Sequence, residues 1–271
     1  MKVLLPESLD DALALKAEHP EAVPMAGTTD LLVCWPEHPA EHDRLFLDLS
    51  GVAELRAARW TNDALTLGAM TTYWDVVSDD RATAEFPMLR EAAVQVGSVQ
   101  IQTRGTWAGN IANGSPAADG VPVMMAYDAV VSLASASGRR EIPLDRFYHG
   151  YKQLEMRPDE LIASIRMPRR PYAFARFHKV GSRRAQAIAK VGVAVARSEA
   201  GWRVVASSVA PTVRRCRAVE AMLEAGRTPV DPDDLRAALR EDVSPIDDIR
   251  STAAYRMRVL GNVLYSVLQE A

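Results

Sequence analysis

The chain has 271 residues, 48% hydrophobic and 25% charged, with a formal net charge of −3. That is enough apolar material for one large core or two medium ones, and it excludes a disordered or polybasic chain. No apolar run approaches the roughly 20 residues that cross a bilayer. The opening MKVLLPESLDD lacks the long apolar stretch of a secretory signal, so the cytoplasm is the expected location.

In chain order, a short strand leads to a helix that Ser8 caps, with Asp10 and Asp11 in its first turn and His19-Pro20 as its stop. Ala22–Ala26 runs into the small-residue turn Gly27-Thr28-Thr29-Asp30. Leu45–Leu49 and Leu65–Ala69 read as strands. Thr71 or Thr72 caps a short helix through Val77, and Pro87 sits at the start of a helix over Met88–Val96. Gly105–Gly120 is too polar and glycine-rich for ordinary core and reads as a loop, followed by apolar Val121–Ala126. Val130–Ala134, Arg139–Pro143 and Leu161–Met167 are further strands. Arg169-Arg170-Pro171 marks a boundary. Beyond it, Ala173–Lys179, Ala187–Arg197 and Arg203–Val209 read as strands, the last two joined at Glu199–Gly201. Thr212 is expected to cap a helix that ends at Gly226, and helices over Asp231–Arg240 and Thr252–Gln269 close the chain. The class is α+β, a mixed first half and a small antiparallel sheet covered by helices.

Charge is uneven. Residues 1–55 carry 11 acids against 3 bases, and residues 166–217 carry 13 bases against Glu199 alone. The bases are scattered among strand-like apolar residues without stacking aromatics, so no nucleic-acid partner is expected. They read instead as facing acidic surface in this chain or in a partner. Cys34 and Cys216, the only cysteines, form no CxxC pair; no metal or iron–sulfur site on this chain is expected, and both read as small buried hydrophobes. His38 and His42 beside Glu37 and Glu41 have helical metal spacing, but Pro36 and Pro39 break a helix there.

Two loops have the chemistry of a cofactor cradle. One is Met25-Ala26-Gly27-Thr28-Thr29-Asp30-Leu31; the other is the run Arg104–Asp119, which contains Thr106, Trp107, Ala108, Gly109, Asn110 and Ser115. Small residues let backbone N–H groups approach a ligand, and consecutive N–H groups form concavities suited to a diphosphate. Thr, Asn and Asp side chains add donors and acceptors for a sugar or polyol. The plain alternative is a pair of connecting loops. Neither is GxGxxG or a Walker motif.

The run RGTWAGNIANGSPAAD resembles the RGTxGGNIAxxxPxxD segment of the FAD subunits of molybdenum hydroxylases, such as the medium subunit of aerobic carbon monoxide dehydrogenase and the flavin domain of xanthine dehydrogenase. Ala26–Leu31 resembles that family's AGGTDL turn. Leu67–Thr72, Glu160–Pro168 and Phe177–Val191 are similar to its IGAxTT, ELIxxIxxP and FxKxSxRxxxDIAxV stretches, all in family order. The resemblance implies a two-part FAD-binding domain of the vanillyl-alcohol-oxidase (PCMH) type over residues 1–170, with subdomains of about 1–55 and 56–170. A CO dehydrogenase flavoprotein C-terminal domain follows over 171–271.

By the same resemblance, Ala26–Asp30 line the pyrophosphate and ribityl region, with Met25 and Leu31 beside them as cofactor-binding residues. Thr106, Gly109, Asn110, Ser115 and Asp119 form the second wall, with Trp107 and Ala108 as further cofactor-binding residues; Ile162 lines the flavin or adenine pocket, and Lys179 lies near the flavin. Gln186 falls in a loop that approaches the flavin ring in xanthine dehydrogenase. Two family glycines are Thr28 and Ala108 here, and Ala108 is tolerable only at negative φ. Trp107 reads as a lid over the cofactor or a plug against a partner. The implied role is electron transfer, with no catalytic residue on this chain. Electrons arrive from [2Fe–2S] clusters on a small subunit after substrate oxidation at a molybdenum cofactor on a large one, within a dimer of heterotrimers. A stand-alone FAD-dependent oxidoreductase is the alternative.

Overall fold

The computed structural model describes residues 2–33, 44–56 and 58–271. Cys34, His38 and His42 lie outside them. The chain opens with a parallel three-stranded sheet in the order β1 (Lys2–Leu4), β3 (Leu45–Asp48), β2 (Val23–Met25). Helix α1 (Leu9–Glu18) joins β1 to β2; the Ser8 hydroxyl caps it by accepting from Asp11 N–H, and it buries Leu9, Ala12 and Leu13. Lys16 is buried too, and its ammonium donates to the carbonyls of Pro20 and Ala22. Burial lowers its pKa, yet the two carbonyls fasten the helix end to the strand that precedes the first loop.

A second sheet is antiparallel throughout, in the order β4 (Ala58–Trp60), β5 (Ala64–Gly68), β10 (Leu161–Pro168), β6 (Val130–Ser135), β7 (Gly138–Pro143). Between β5 and β6 come six short helices. These are α2 (Tyr73–Val77), α3 (Asp80–Glu85), α4 (Pro87–Ala93), α5 (Val99–Gln102), α6 (Trp107–Asn113) and α7 (Gly120–Ala126). Thr72, not Thr71, caps α2, in a reciprocal box with Asp75. Every residue of α7 is buried, because it lies between this helical layer and the third sheet. A small hairpin, β8 (Tyr148–Gly150) and β9 (Gln153–Leu154), precedes β10.

The third sheet, β11 (Tyr172–Val180), β12 (Val191–Ser198), β13 (Gly201–Ser207) and β14 (Arg214–Arg215), is antiparallel and in sequence order. Its period-2 alternation splits the core. Val191, Val193, Val195 and Val204 face α8 (Arg217–Glu224), α9 (Pro232–Asp242) and α10 (Ala253–Leu268), meeting Leu235, Leu239, Leu260 and Leu264. Phe177, Ala194, Ala196 and Val205 face the other way and join the core around α4 and α7. Among the described residues no helix is long and apolar enough to cross a membrane.

Three expectations change. The run Gly105–Gly120 is not a plain loop: α6 occupies its centre. The second strand of the third sheet begins at Val191, not Ala187, because Gly181–Ser182 through Ala187 form a projecting loop with Gln186 at φ +53. Thr212 caps nothing; α8 starts at Arg217, because Arg214 and Arg215 first pair with β13. The carboxylate of Asp242 caps α8 instead, accepting from the N–H groups of Ala218 and Val219.

The basic stretch finds its partners at home. Eight of its thirteen cations pair with acids of this chain: Arg166, Arg169, Arg170, Arg176, Lys179, Arg203, Arg215 and Arg217.

Candidate cofactor site

The two sequence loops meet. Gly27, just after β2, lies so close to the second run that a Cβ on it would stand 1.9 Å from the carbonyl oxygen of Arg104. Only glycine permits that approach. Gly105 in turn abuts Thr29 Oγ1 and the Tyr73 ring, where a Cβ would sit at 3.4 and 3.3 Å. Asn113 Nδ2 donates to Asp30 Oδ1 at 3.1 Å. Among the described residues, the N–H groups of Gly27, Thr28, Thr29, Asp30 and Leu31 have no acceptor. Five consecutive unpaired donors in a half-open turn form a concavity suited to an anion.

Thr28 holds φ +58, a left-handed conformation that a β-branched residue adopts at a cost of about 1–2 kcal/mol. Its hydroxyl donates to the Gly27 carbonyl at 2.8 Å, which fixes the turn. Thr28→Gly should therefore raise the stability of the cofactor-free protein by up to about 1 kcal/mol, less the extra entropy of an unfolded glycine. Thermal melts of both proteins would check this; a lower melting temperature would refute it.

The second wall is a capped helix. Thr106 Oγ1 accepts from Gly109 N–H at 2.9 Å, and Gly114 closes α6 in a left-handed cap at φ +62. Ala108 is the second residue of this helix and is absent from the positive-φ positions, so its methyl is accommodated. Asn110 Oδ1 accepts from Gly120 and Val121 N–H, tying α6 to α7. Ser115 Oγ accepts from Ala117 N–H.

Trp107 is neither lid nor plug. It is 0% exposed, its ring lies 4.7 Å from that of Tyr73, and its indole N–H donates to the Thr72 carbonyl. It therefore props the cradle from behind. Met25 belongs to β2, and Ile162 is a buried residue of β10, the strand that packs against α6.

Lys179 reaches this wall from β11. Its ammonium pairs with Asp119 Oδ2 at 2.5 Å and donates to the Gln95 carbonyl at 3.0 Å, with side chains only 6% and 12% exposed. Among the described residues, Asp119 Oδ1 is buried with no partner. Burial pushes the Asp119 carboxyl up to about 6, against the pull of the Lys179 charge and hydrogen bond. A carboxyl raised in the fold favours the folded state most below its ordinary value near 4. That contribution fades as pH rises through 6.

A group with a diphosphate and polyol chain fits this donor set: a crowded glycine, five free N–H groups, and a buried acid with an open oxygen. Sequence reasoning missed Tyr73, whose ring supports Gly105 and Trp107, and Gln95, which contributes a backbone carbonyl that no side-chain motif could reveal. Tyr148 packs inward, its hydroxyl donating to the Ile111 carbonyl, while Tyr151 is exposed. A cleft of about 740 Å³ between Pro87 and Tyr172 lies apart from the cradle, and its cations Arg169 and Arg176 already face Glu85 and Glu270.

Residues 1–170 match the family described as the FAD binding domain in molybdopterin dehydrogenase, and residues 176–271 the CO dehydrogenase flavoprotein C-terminal domain. The chain is 29% identical over 275 residues to a xanthine dehydrogenase FAD-binding subunit of Escherichia coli O157:H7, covering 97% of this chain and 93% of the relative. It is 30% identical over 274 residues to the caffeine dehydrogenase subunit beta of a Pseudomonas species, covering 98% and 92%. A chain in the solved reconstituted CO dehydrogenase from Oligotropha carboxidovorans superposes with a TM-score of 0.90 at 25% identity, over 100% of this chain and 97% of that one. With the family matched across 1–170 and both loops built into one cradle, this chain belongs to the FAD-binding subunits of the molybdopterin dehydrogenases.

Proposed function

We propose that this chain is the FAD-carrying electron-transfer subunit of a cytoplasmic, three-subunit molybdenum hydroxylase that assembles as a dimer of heterotrimers. The observation that carries the site assignment is the junction of Gly27 with Arg104, which sets five unpaired N–H groups beside a glycine-bearing helix start. Residues Met25–Leu31 hold the diphosphate through those donors. Thr106, Ala108, Gly109, Asn110, Ser115 and Asp119 form the opposing wall, with Trp107 behind it and Ile162 as apolar lining. When bound, FAD accepts electrons singly or in pairs and so joins one-electron to two-electron carriers.

The residues of this chain bind and orient; none performs substrate chemistry. Lys179, held by Asp119 and the Gln95 carbonyl, presents positive charge at the flavin side of the cradle, where it favours negative charge by roughly 1–4 kcal/mol at 4 Å, depending on burial. Substrate is oxidised at a molybdenum cofactor on a large subunit, and electrons arrive through [2Fe–2S] clusters of a small one. The purified chain should bind FAD and show no substrate-dependent bleaching until its partner subunits are added. Turnover by the chain alone would mean a stand-alone flavoenzyme, and failure to take up FAD would overturn the reading.

A further inference from the structure

Most bases of residues 166–217 are paired, but two of them, Arg215 and Arg217, stand beside Arg146 at one cleft with donors to spare. A cleft of about 370 Å³ is lined by Met125, Asp128, Ala129, Pro143, Asp145, Arg146, Arg215 and Arg217. It lies where the segment after α7 and the link between β7 and β8 meet β14 and the start of α8. Asp128, at φ +53 in the tight turn after α7, has both oxygens taken, Oδ1 by Arg203 at 2.7 Å and Oδ2 by Arg170 at 3.3 Å. Asp145 Oδ2 accepts from Arg217 at 2.5 Å.

The guanidinium groups are not used up in the same way. Arg215 gives its Nε to both oxygens of the largely buried Glu220. Its Nη1 stands 3.7 Å from Asp128 and 3.8 Å from Asp145, beyond hydrogen-bonding reach, so its two terminal nitrogens make no hydrogen bond among the described residues. Arg146 has no acid or acceptor at all among them. Arg217 spends one nitrogen. Five arginines, counting Arg170 and Arg203 behind the cleft, meet three carboxylates. The balance is two positive charges, and Arg146, Arg215 and Arg217 all line the cleft.

We propose that this cleft binds a phosphate group, as the free dianion or as the phosphate of a nucleotide, between Arg146, Arg215 and Arg217. Arginine forks match the paired oxygens of a phosphate, and the dianion cancels the local excess. Asp128 and Asp145 do not repel it decisively, because each is already covered by one or two guanidinium groups. The bound group bridges β14 and α8 to the first half of the chain, so it stabilises their docking. This inference is independent of the flavin reading, since the cleft shares no residue with the cradle.

The test uses the purified full chain, with thermal melts at constant ionic strength in sodium chloride, inorganic phosphate or adenosine monophosphate. Millimolar phosphate should raise the melting temperature by about 2–4 °C over chloride. The double variant Arg146→Ala/Arg217→Ala should lose that shift while keeping its melting temperature in chloride close to that of the parent, since Arg146 has no partner among the described residues and Arg217 is largely exposed. Calorimetric titration separates the sources: equal affinities mean the phosphate group alone is read, and a tighter nucleotide means its sugar or base is also held. No shift with phosphate, an equal shift with chloride, or an undiminished shift in the double variant would overturn the proposal.

Discussion

Gly27→Ala is expected to leave a folded chain that no longer retains FAD. The added Cβ would stand 1.9 Å from the Arg104 carbonyl oxygen and 2.6 Å from its carbon. These are backbone atoms, so no rotamer change relieves the clash; the two loops must part. Overpacking of this kind costs roughly 1–3 kcal/mol even where side chains can adjust. Here the cost falls on the junction that sets the cradle's width, so FAD affinity should fall at least about 100-fold. The two loops are otherwise anchored separately, by β2 and by the Thr106 cap, which is why the fold survives. Flavin content of the purified protein and quenching of flavin fluorescence on titration would measure the effect. Retention of FAD at wild-type affinity would show that the loops do not form its site.

Lys179→Met should have the largest effect on stability. It strands the Asp119 carboxylate in a site where its counter-ion and one of its two oxygens' partners have gone. Removing one member of a buried pair costs about 3–5 kcal/mol. The sign of the pH dependence follows. Burial already pushes Asp119 up to about 6, and without Lys179 it rises further. The variant should therefore be least stable at neutral and alkaline pH and recover as the pH falls and Asp119 takes up a proton. Adding Asp119→Asn removes the stranded charge, so the double variant should be more stable at pH 7 than Lys179→Met alone, a coupling that thermal or urea unfolding of all four proteins reads directly. Additive losses would mean the pair is not coupled.

The legibility of this fold varied with how local its causes are. Ser8 and Thr72 announce their helices because a cap acts within three residues, and each is a cap in the structure; Asp231 and Thr252, read only as the starts of helices, prove to be their caps. The strand pair expected over Ala187–Arg197 and Arg203–Val209 was legible from alternation and the turn between them, though it spans Val191–Ser198 and Gly201–Ser207. The α6 helix was not, because Gly109, Asn110 and Asn113 are poor helix formers, and only Thr106 betrays the start. Thr212 misled because it resembles a cap, whereas pairing of Arg214 and Arg215 with β13 is decided by a distant strand. The two loops of the cradle were found through glycines and resemblance, but their mutual contact is tertiary. So is the fate of Trp107, whose size suggested exposure to a ligand or partner and whose burial depends on Tyr73 and Gly120. The surplus of bases could be counted in the sequence, but not the acids that meet them, since Glu85, Asp128 and Glu270 lie far away along the chain.

Lys179 stands on β11, beyond residue 170, while both groups it binds, Asp119 and the Gln95 carbonyl, come before it. The flavin module of this chain is therefore not portable. A fragment cut after residue 170, or a chimera that grafts only that part onto another protein, leaves behind the counter-ion of its own buried acid. Exchanging parts between relatives would have to carry β11 along with the first 170 residues, or supply a cation of matching reach from the recipient.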